Sequence, residues 1–316
     1  MEPLAHQRAA LDEITARARA YFAGDWQQLP VIPRWASLMI GPTGTGKTAV
    51  AAMAAEALGD YDPATLMWGN PVSLLRVSAP NWMPSGANNR GTRETISVIA
   101  EHVAKHDRTL LAIDEIEKIT DRDGDSSWKM YCRGELFDLL DGRWPSGLTL
   151  PEVDDDTVDP TIVTLTEKLK ETVFFLAIGT FQSWFDDSTS RRTMGFGAET
   201  DPANDELTAD IVAEKMPREL ANRLNSSLIR IQELTPADYH RIANEAADKL
   251  PQRMQQAFRA EVQRRIPGAI AAKKGVRFLE ECIMEVLKTL PPSPEIVGEI
   301  VITTPKIPKI DLCTLL

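Results

Sequence analysis

The chain of 316 residues is long enough for about two domains, at roughly 100–200 residues each. Its 43% hydrophobic and 26% charged residues exclude wholesale disorder and collagen-like repetition. A net charge of −11 disfavours nucleic acid except through a local basic patch, and no apolar run approaches the roughly 20 residues that span a bilayer. Three scattered cysteines (Cys132, Cys282, Cys313) rule out a disulfide framework, and the start MEPLAHQRAALDE lacks the pattern of a secretory signal. The expectation is a soluble protein of a reducing cytoplasm, away from membranes.

Along the chain, Leu4, Leu11, Ile14, Ala18 and Phe22 recur at helical spacing. A short apolar run, Ser37–Ile40, leads into a glycine-rich turn and then an alanine-rich helix from Thr48 to Leu58, with Gly59 as its stop. Leu74–Ser78 reads as a strand, and Thr92–His106 as a helix with Ile96, Ile99 and Val103 on one face. Leu110–Ile113 and Val173–Ile178 are unbroken apolar runs, as strands buried on both faces require. Strands alternating with helices predict a doubly wound α/β domain with a parallel sheet. Beyond Leu228–Thr235 the pattern turns helical, over 236–266 and 276–290, until a last strand at Ile296–Thr303. This predicts a large nucleotide-binding domain over 1–230 and a smaller, mostly helical domain with a C-terminal strand over 231–316. The acidic stretches Glu152–Asp159 and Glu199–Asp210 read as surface loops.

The chemistry concentrates at residues 41–48: Gly41, Pro42, Thr43, Gly44, Thr45, Gly46, Lys47 and Thr48. Glycines allow the backbone to turn its N–H groups inward around phosphate, and the following helix brings its positive end to the same place. Lys47 would reach the β- and γ-phosphates, and the Thr48 hydroxyl would ligate Mg2+. A second strand then delivers Asp114 to the metal and Glu115 to the attacking water as general base. Together these predict NTP hydrolysis with ATP and Mg2+ as cofactors. His102 and His106 stand four apart, but without the H-E-x-x-H order of zinc proteases they read as a charged helix face.

The segment Leu111–Ile119, LAIDEIEKI, resembles the Walker B region of the AAA+ ATPases, and its IDEIxKI form is similar to that of the ClpX and HslU group of protein unfoldases. Collinear with it, Met194-Gly195-Phe196-Gly197-Ala198 resembles the group's IGFGA segment. Arg218–Leu224 resembles the segment holding its arginine finger, and Lys274–Leu279 its sensor 2 motif. The resemblance implies a homo-oligomeric ring, a hexamer, in which Arg223 acts on the neighbour's nucleotide. Arg218 competes for that role. Such fingers are worth roughly 10³–10⁵ in rate in related NTPases. It further implies that Arg277 contacts the nucleotide from the second domain and that Thr180, after the Val173–Ile178 strand, serves as sensor 1.

Between Ser78 and Thr92 the turn-forming segment Pro80–Gly91 carries Trp82 and Met83, at the position of the group's polypeptide-gripping pore loop. Either Trp82 and Met83 grip a protein substrate or Trp82 folds back onto the core. Asp121–Trp128 is a second candidate pore segment. Met194, Gly195 and Phe196 would dock a partner, a protease or another effector; their loop is shorter than the one that docks ClpP. The acidic Glu152–Asp159 replaces a basic entrance loop, and the group's zinc-binding N-terminal domain has no counterpart. Three functions remain open: a protein unfoldase or remodelling ATPase, a DNA-associated AAA+ ATPase such as a loader or transposition regulator, and an ATP-switched assembly factor.

Overall fold

The computed structural model describes residues 3–28, 36–59, 61–62, 67–68, 71–85, 93–120, 126–145, 160–181, 216–224 and 228–289. Helix α1 (Ala5–Ala23) ends where Gly24 takes φ +78° and donates its N–H to Tyr21 O, a left-handed cap that costs glycine little. Strand β1 (Ser37–Ile40) feeds α2 (Lys47–Gly59), so the glycine-rich turn lies between strand and helix. A small antiparallel pair, β2 (Tyr61–Asp62) and β3 (Met67–Trp68), precedes β4 (Ser73–Ser78). Then come α3 (Thr95–Lys105), β5 (Thr109–Asp114), the single turn α4 (Glu117–Thr120), α5 (Ser127–Leu140), α6 (Pro160–Glu171) and β6 (Val173–Gly179). Helix α7 (Arg218–Leu224) leads to β7 (Leu228–Arg230).

The five longer strands form one parallel sheet in the order β4-β5-β6-β1-β7. Because side chains alternate across a strand, each central strand feeds two cores. Leu38, Ile40, Leu111, Ile113, Phe175 and Ala177 face a core shared with α3, α5, α6 and α7. Met39, Leu110, Ala112, Phe174, Leu176 and Ile178 face a second core under α1 and α2. Every residue of β1, β5 and β6 is buried, which is why their middles are continuously apolar and polar residues (Ser37, Thr109, Asp114) stand only at their ends. Strand β7 has no such sequence signature; three residues are enough only because β1 pairs with it in register from Leu38↔Leu228 to Ile40↔Arg230.

After the sheet, α8 (Pro236–Lys249), α9 (Gln252–Ala271) and α10 (Phe278–Thr289) build a third core from Tyr239, Ile242, Phe258, Val262, Phe278 and Val286. Thr235 opens α8 with a reciprocal cap: its hydroxyl accepts from Asp238 N–H, and the Asp238 carboxylate accepts from Thr235 N–H at 3.0 Å. Leu4, ahead of α1, packs into this third core. The chain's start thus touches both halves. Strand Ile296–Thr303 and the acidic stretches 152–159 and 199–210 lie outside the described residues.

Candidate functional site

A parallel sheet brings its strand C-termini to one edge, and the order β5-β6-β1 there sets Asp114, Thr180 and the glycine-rich turn side by side. Within the turn, Gly44 and Gly46 take φ +79° and +78°, conformations that side-chain-bearing residues adopt only under strain. The Thr45 hydroxyl donates to Pro42 O at 2.9 Å and closes the turn on itself. Lys47 is only 8% exposed, and its ammonium donates to Gly41 O at 2.7 Å and Pro42 O at 2.8 Å. Burial pushes its pKa down to about 8, while the negative charges of Glu117 and then Asp114 pull the other way.

Thr48 Oγ1 donates to Asp114 Oδ2 at 2.9 Å, so the two residues expected at the metal meet directly. A hydroxyl and a carboxylate are the hard oxygen ligands that Mg2+ prefers. Asp114 also pairs with Arg76 of β4 at 3.1 Å and accepts Glu115 N–H at 2.9 Å. Glu115 itself is exposed and sits at φ +56°, a left-handed conformation outside glycine that marks a strained turn directly after the strand. The exposed carboxylate suits a base that must meet water.

Two distant segments clamp the turn. From the third core, Val276 N–H donates to Gly44 O at 3.1 Å, and Gly275 (φ +63°) lies so close that a Cβ on it would come within 2.5 Å of Gly44 Cα and O. Tyr239 OH accepts Gly275 N–H at 2.9 Å, anchoring that contact inside the third core. Arg277, two residues on, is exposed, and its positive charge adds a little to the lowering of the Lys47 pKa. From the other side, Gln7 Nε2 donates to Thr45 O at 3.0 Å, its Oε1 accepts Leu4 N–H at 3.0 Å, and His6 Nε2 lies 3.1 Å from the same Thr45 oxygen. Sequence reasoning missed Gln7, which is 2% exposed. The signal was there: position 7 belongs to the apolar stripe of Leu4, Leu11, Ile14 and Ala18, and a buried glutamine on such a stripe needs polar partners.

Arg223 stands elsewhere. It lines a cleft with Ala36 and Val173, at the beginning of β1 and β6, while the turn follows the end of β1, roughly 13 Å away along four residues of strand. Asp141 holds its guanidinium in a fork, accepting from Nε at 2.8 Å and Nη2 at 2.6 Å, with the Phe137 ring 4.9 Å beneath. That hydrogen-bonded carboxylate raises the Arg223 pKa further. Arg218, the competitor, is exposed.

The expectation of a gripping aromatic at a loop tip is corrected for Trp82. It is 1% exposed, part of the first core, and its Nε1 donates to Glu135 Oε2 at 2.7 Å. Trp82 O accepts Trp128 Nε1 at 3.0 Å, and Ser85 N–H donates to Glu135 Oε1 at 2.5 Å. The indole has both an apolar pocket and a hydrogen-bond partner in α5, so the folded-back alternative prevails. Met83 is half-buried, its backbone paired to Thr95 on both sides. Of Asp121–Trp128, residues 121–125 lie outside the described residues, and Ser126 caps α5 by accepting Lys129 N–H at 3.3 Å. Met194, Gly195 and Phe196 also lie outside them. No described helix is long and apolar enough to cross a membrane.

The sequence model of the ATPase family associated with various cellular activities (AAA) matches residues 37–192, from the first residue of β1 past the end of β6. No curated protein matches the chain. The phosphate-binding turn, Asp114 and strands β1, β4, β5 and β6 lie inside that match and β7 beyond it; the fold is that of an α/β P-loop NTPase, and residues 37–192 are similar to the AAA ATPases.

Proposed function

We propose that the protein hydrolyses ATP with Mg2+ at the seam between copies of itself, assembled as a ring, and transmits the nucleotide cycle through the helical lid to a protein partner. The observation that carries this reading is the Thr48–Asp114 contact beside buried Lys47, which gathers metal ligands and phosphate cation at one point. Thr48 and Asp114 would hold the ion, and the inward-turned backbone around Gly44 and Gly46 would take the phosphates. Bound Mg2+ would supply charge neutralisation on the β- and γ-phosphate oxygens. Glu115 orients and deprotonates the attacking water, and Lys47 neutralises the terminal phosphates. On this reading the chain divides near residue 231, so that Arg277 approaches the nucleotide from a separate lid.

Arg223 supports the ring. It lines a cleft at the end of the sheet opposite its own turn, as a residue acting on the site of a neighbouring copy would. Asp141 and Phe137 then fix the direction in which the guanidinium is presented. Of the three functions, burial of Trp82 favours an ATP-driven remodeller or assembly switch whose moving part is the lid, since the aromatic expected to pull polypeptide is committed to the core. The net charge of −11 weighs against the DNA-associated reading. The test is phosphate release from ATP: it should require Mg2+, vanish in Lys47→Ala, and fall by at least about 100-fold in Asp114→Asn or Glu115→Gln. Turnover that survives chelation of the metal, or persists in Lys47→Ala, contradicts the assignment.

A further inference from the structure

Asp114 carries more than its contact with Thr48. The same Oδ2 that accepts the Thr48 hydroxyl at 2.9 Å lies 3.1 Å from Arg76 Nη2. Arg76 comes from β4 at the edge of the sheet, where it stands opposite Ala112, while Asp114 stands opposite Ser78. Side chains alternate along a strand, so Arg76, Ala112 and Asp114 share the face toward α2, the helix that carries Thr48. The arginine thus leans two residues along the sheet, over the small Ala112, to reach the carboxylate. The Asp114 side chain is 11% exposed and that of Arg76 52%, so the carboxylate is sunk in the site and the guanidinium closes it from the rim.

We propose that Arg76 is the resident counter-ion of the metal site: it neutralises Asp114 before metal binds, and Mg2+ arriving with nucleotide displaces it, so that Arg76 sets how much Mg2+ the site demands. The inference rests on the nucleotide site proposed above and adds a positioning residue to it. The Thr48 hydroxyl can keep donating to Asp114 while its own lone pairs face a metal. Arg76 cannot stay in the same way, because a guanidinium has no lone pair to offer and its charge repels a dication. Until the exchange, it spares a nearly buried carboxylate from standing uncompensated. Afterwards the half-exposed guanidinium returns to water at little cost. The ion pair is lost when nucleotide binds with Mg2+ and kept when nucleotide binds without it.

The experiment titrates fluorescent ADP into the full chain, Arg76→Gln and Arg76→Lys, once with EDTA and once with saturating Mg2+. Glutamine removes the charge and lysine keeps it. Any general attraction between the arginine and phosphate acts in both conditions and cancels in the ratio of the two affinities. The ion pair does not cancel, and a pair this exposed is worth up to about a factor of five. The Mg2+-to-EDTA affinity ratio should therefore rise about three- to fivefold in Arg76→Gln, and the half-saturating Mg2+ concentration should fall by the same factor. Arg76→Lys should stay within about twofold of the unaltered chain. Circular dichroism checks that the variants are folded, as an exposed position on an edge strand permits. A ratio that is unchanged or lower in Arg76→Gln, or a half-saturating Mg2+ that rises, overturns the proposal and leaves the ATP site standing. A rise of the same size in Arg76→Lys also overturns it, since the charge would then be irrelevant. Failure of the unaltered chain to bind ADP with Mg2+ overturns the site as well.

Discussion

Replacing Gly275 with alanine tests how the lid is fastened to the phosphate-binding turn. Gly275 sits at φ +63°, where an alanine pays roughly 1–2 kcal/mol in backbone strain. Its new Cβ would meet Gly44 Cα and O at 2.5 Å and Gly44 C at 2.6 Å, almost 1 Å inside ordinary van der Waals contact. Those are backbone atoms of a turn clamped from the other side by Gln7, so neither partner has a side chain to swing away. The lid must retreat, and the Val276–Gly44 hydrogen bond at 3.1 Å is lost with it, a further ~1 kcal/mol. The closed arrangement should lose about 2–3 kcal/mol in all, which corresponds to a 30- to 150-fold loss of nucleotide affinity if Arg277 binds only when the lid is docked. The third core around Phe258 and Phe278 lies away from the overlap, so the helices should remain folded. Fluorescent-ADP titration measures the affinity and circular dichroism the helix content. Wild-type nucleotide affinity in Gly275→Ala refutes the argument that this backbone contact holds the lid.

Three more expectations follow from the same geometry. With the Lys47 pKa lowered to about 8 by burial, phosphate affinity should fall as pH rises past 8, approaching tenfold per unit, with proton uptake on binding seen by calorimetry in buffers of different ionisation enthalpy. The sign for stability is opposite: between about 8 and the ordinary 10.5 the unfolded chain holds a proton that the folded chain has released, so this residue's contribution to stability increases with pH across that window. Trp82→Ala should destabilise the fold by about 3–5 kcal/mol in urea denaturation, as loss of a buried aromatic does; a change below about 1 kcal/mol would return Trp82 to the surface. Asp141→Asn should lower kcat for ATP roughly 10- to 100-fold with little change in KM, because Asp141 aims Arg223 but lies far from the nucleotide bound by its own chain; an unchanged kcat would leave that ion pair a purely structural one.

The strands and the phosphate-binding turn were legible because their causes are local. Leu110–Ile113 and Val173–Ile178 are apolar throughout, as two-sided burial demands, and glycines at 44 and 46 mark positions where the backbone must turn left-handed. What escaped notice depends on distant partners. Trp82 lies among turn-forming residues and looks like a loop tip until Glu135, 53 residues later, takes its indole N–H. Gln7 gains its meaning only from a carbonyl 38 residues away. Strand β7 is too short to show a period, and its partner β1 alone defines it. Arg223 could be singled out by resemblance, but its place at the far end of the sheet required the topology.

That the chemistry is shared between copies can be tested by mixing. Lys47→Ala removes the phosphate cation and keeps Arg223; Arg223→Ala keeps the site and removes the guanidinium. Each variant alone should be nearly inactive in phosphate release, and a mixture of the two should regain a substantial fraction of wild-type activity, falling again on dilution. A mixture no more active than its parts, or an Arg223→Ala protein that turns over ATP at the wild-type rate at any concentration, would contradict the account.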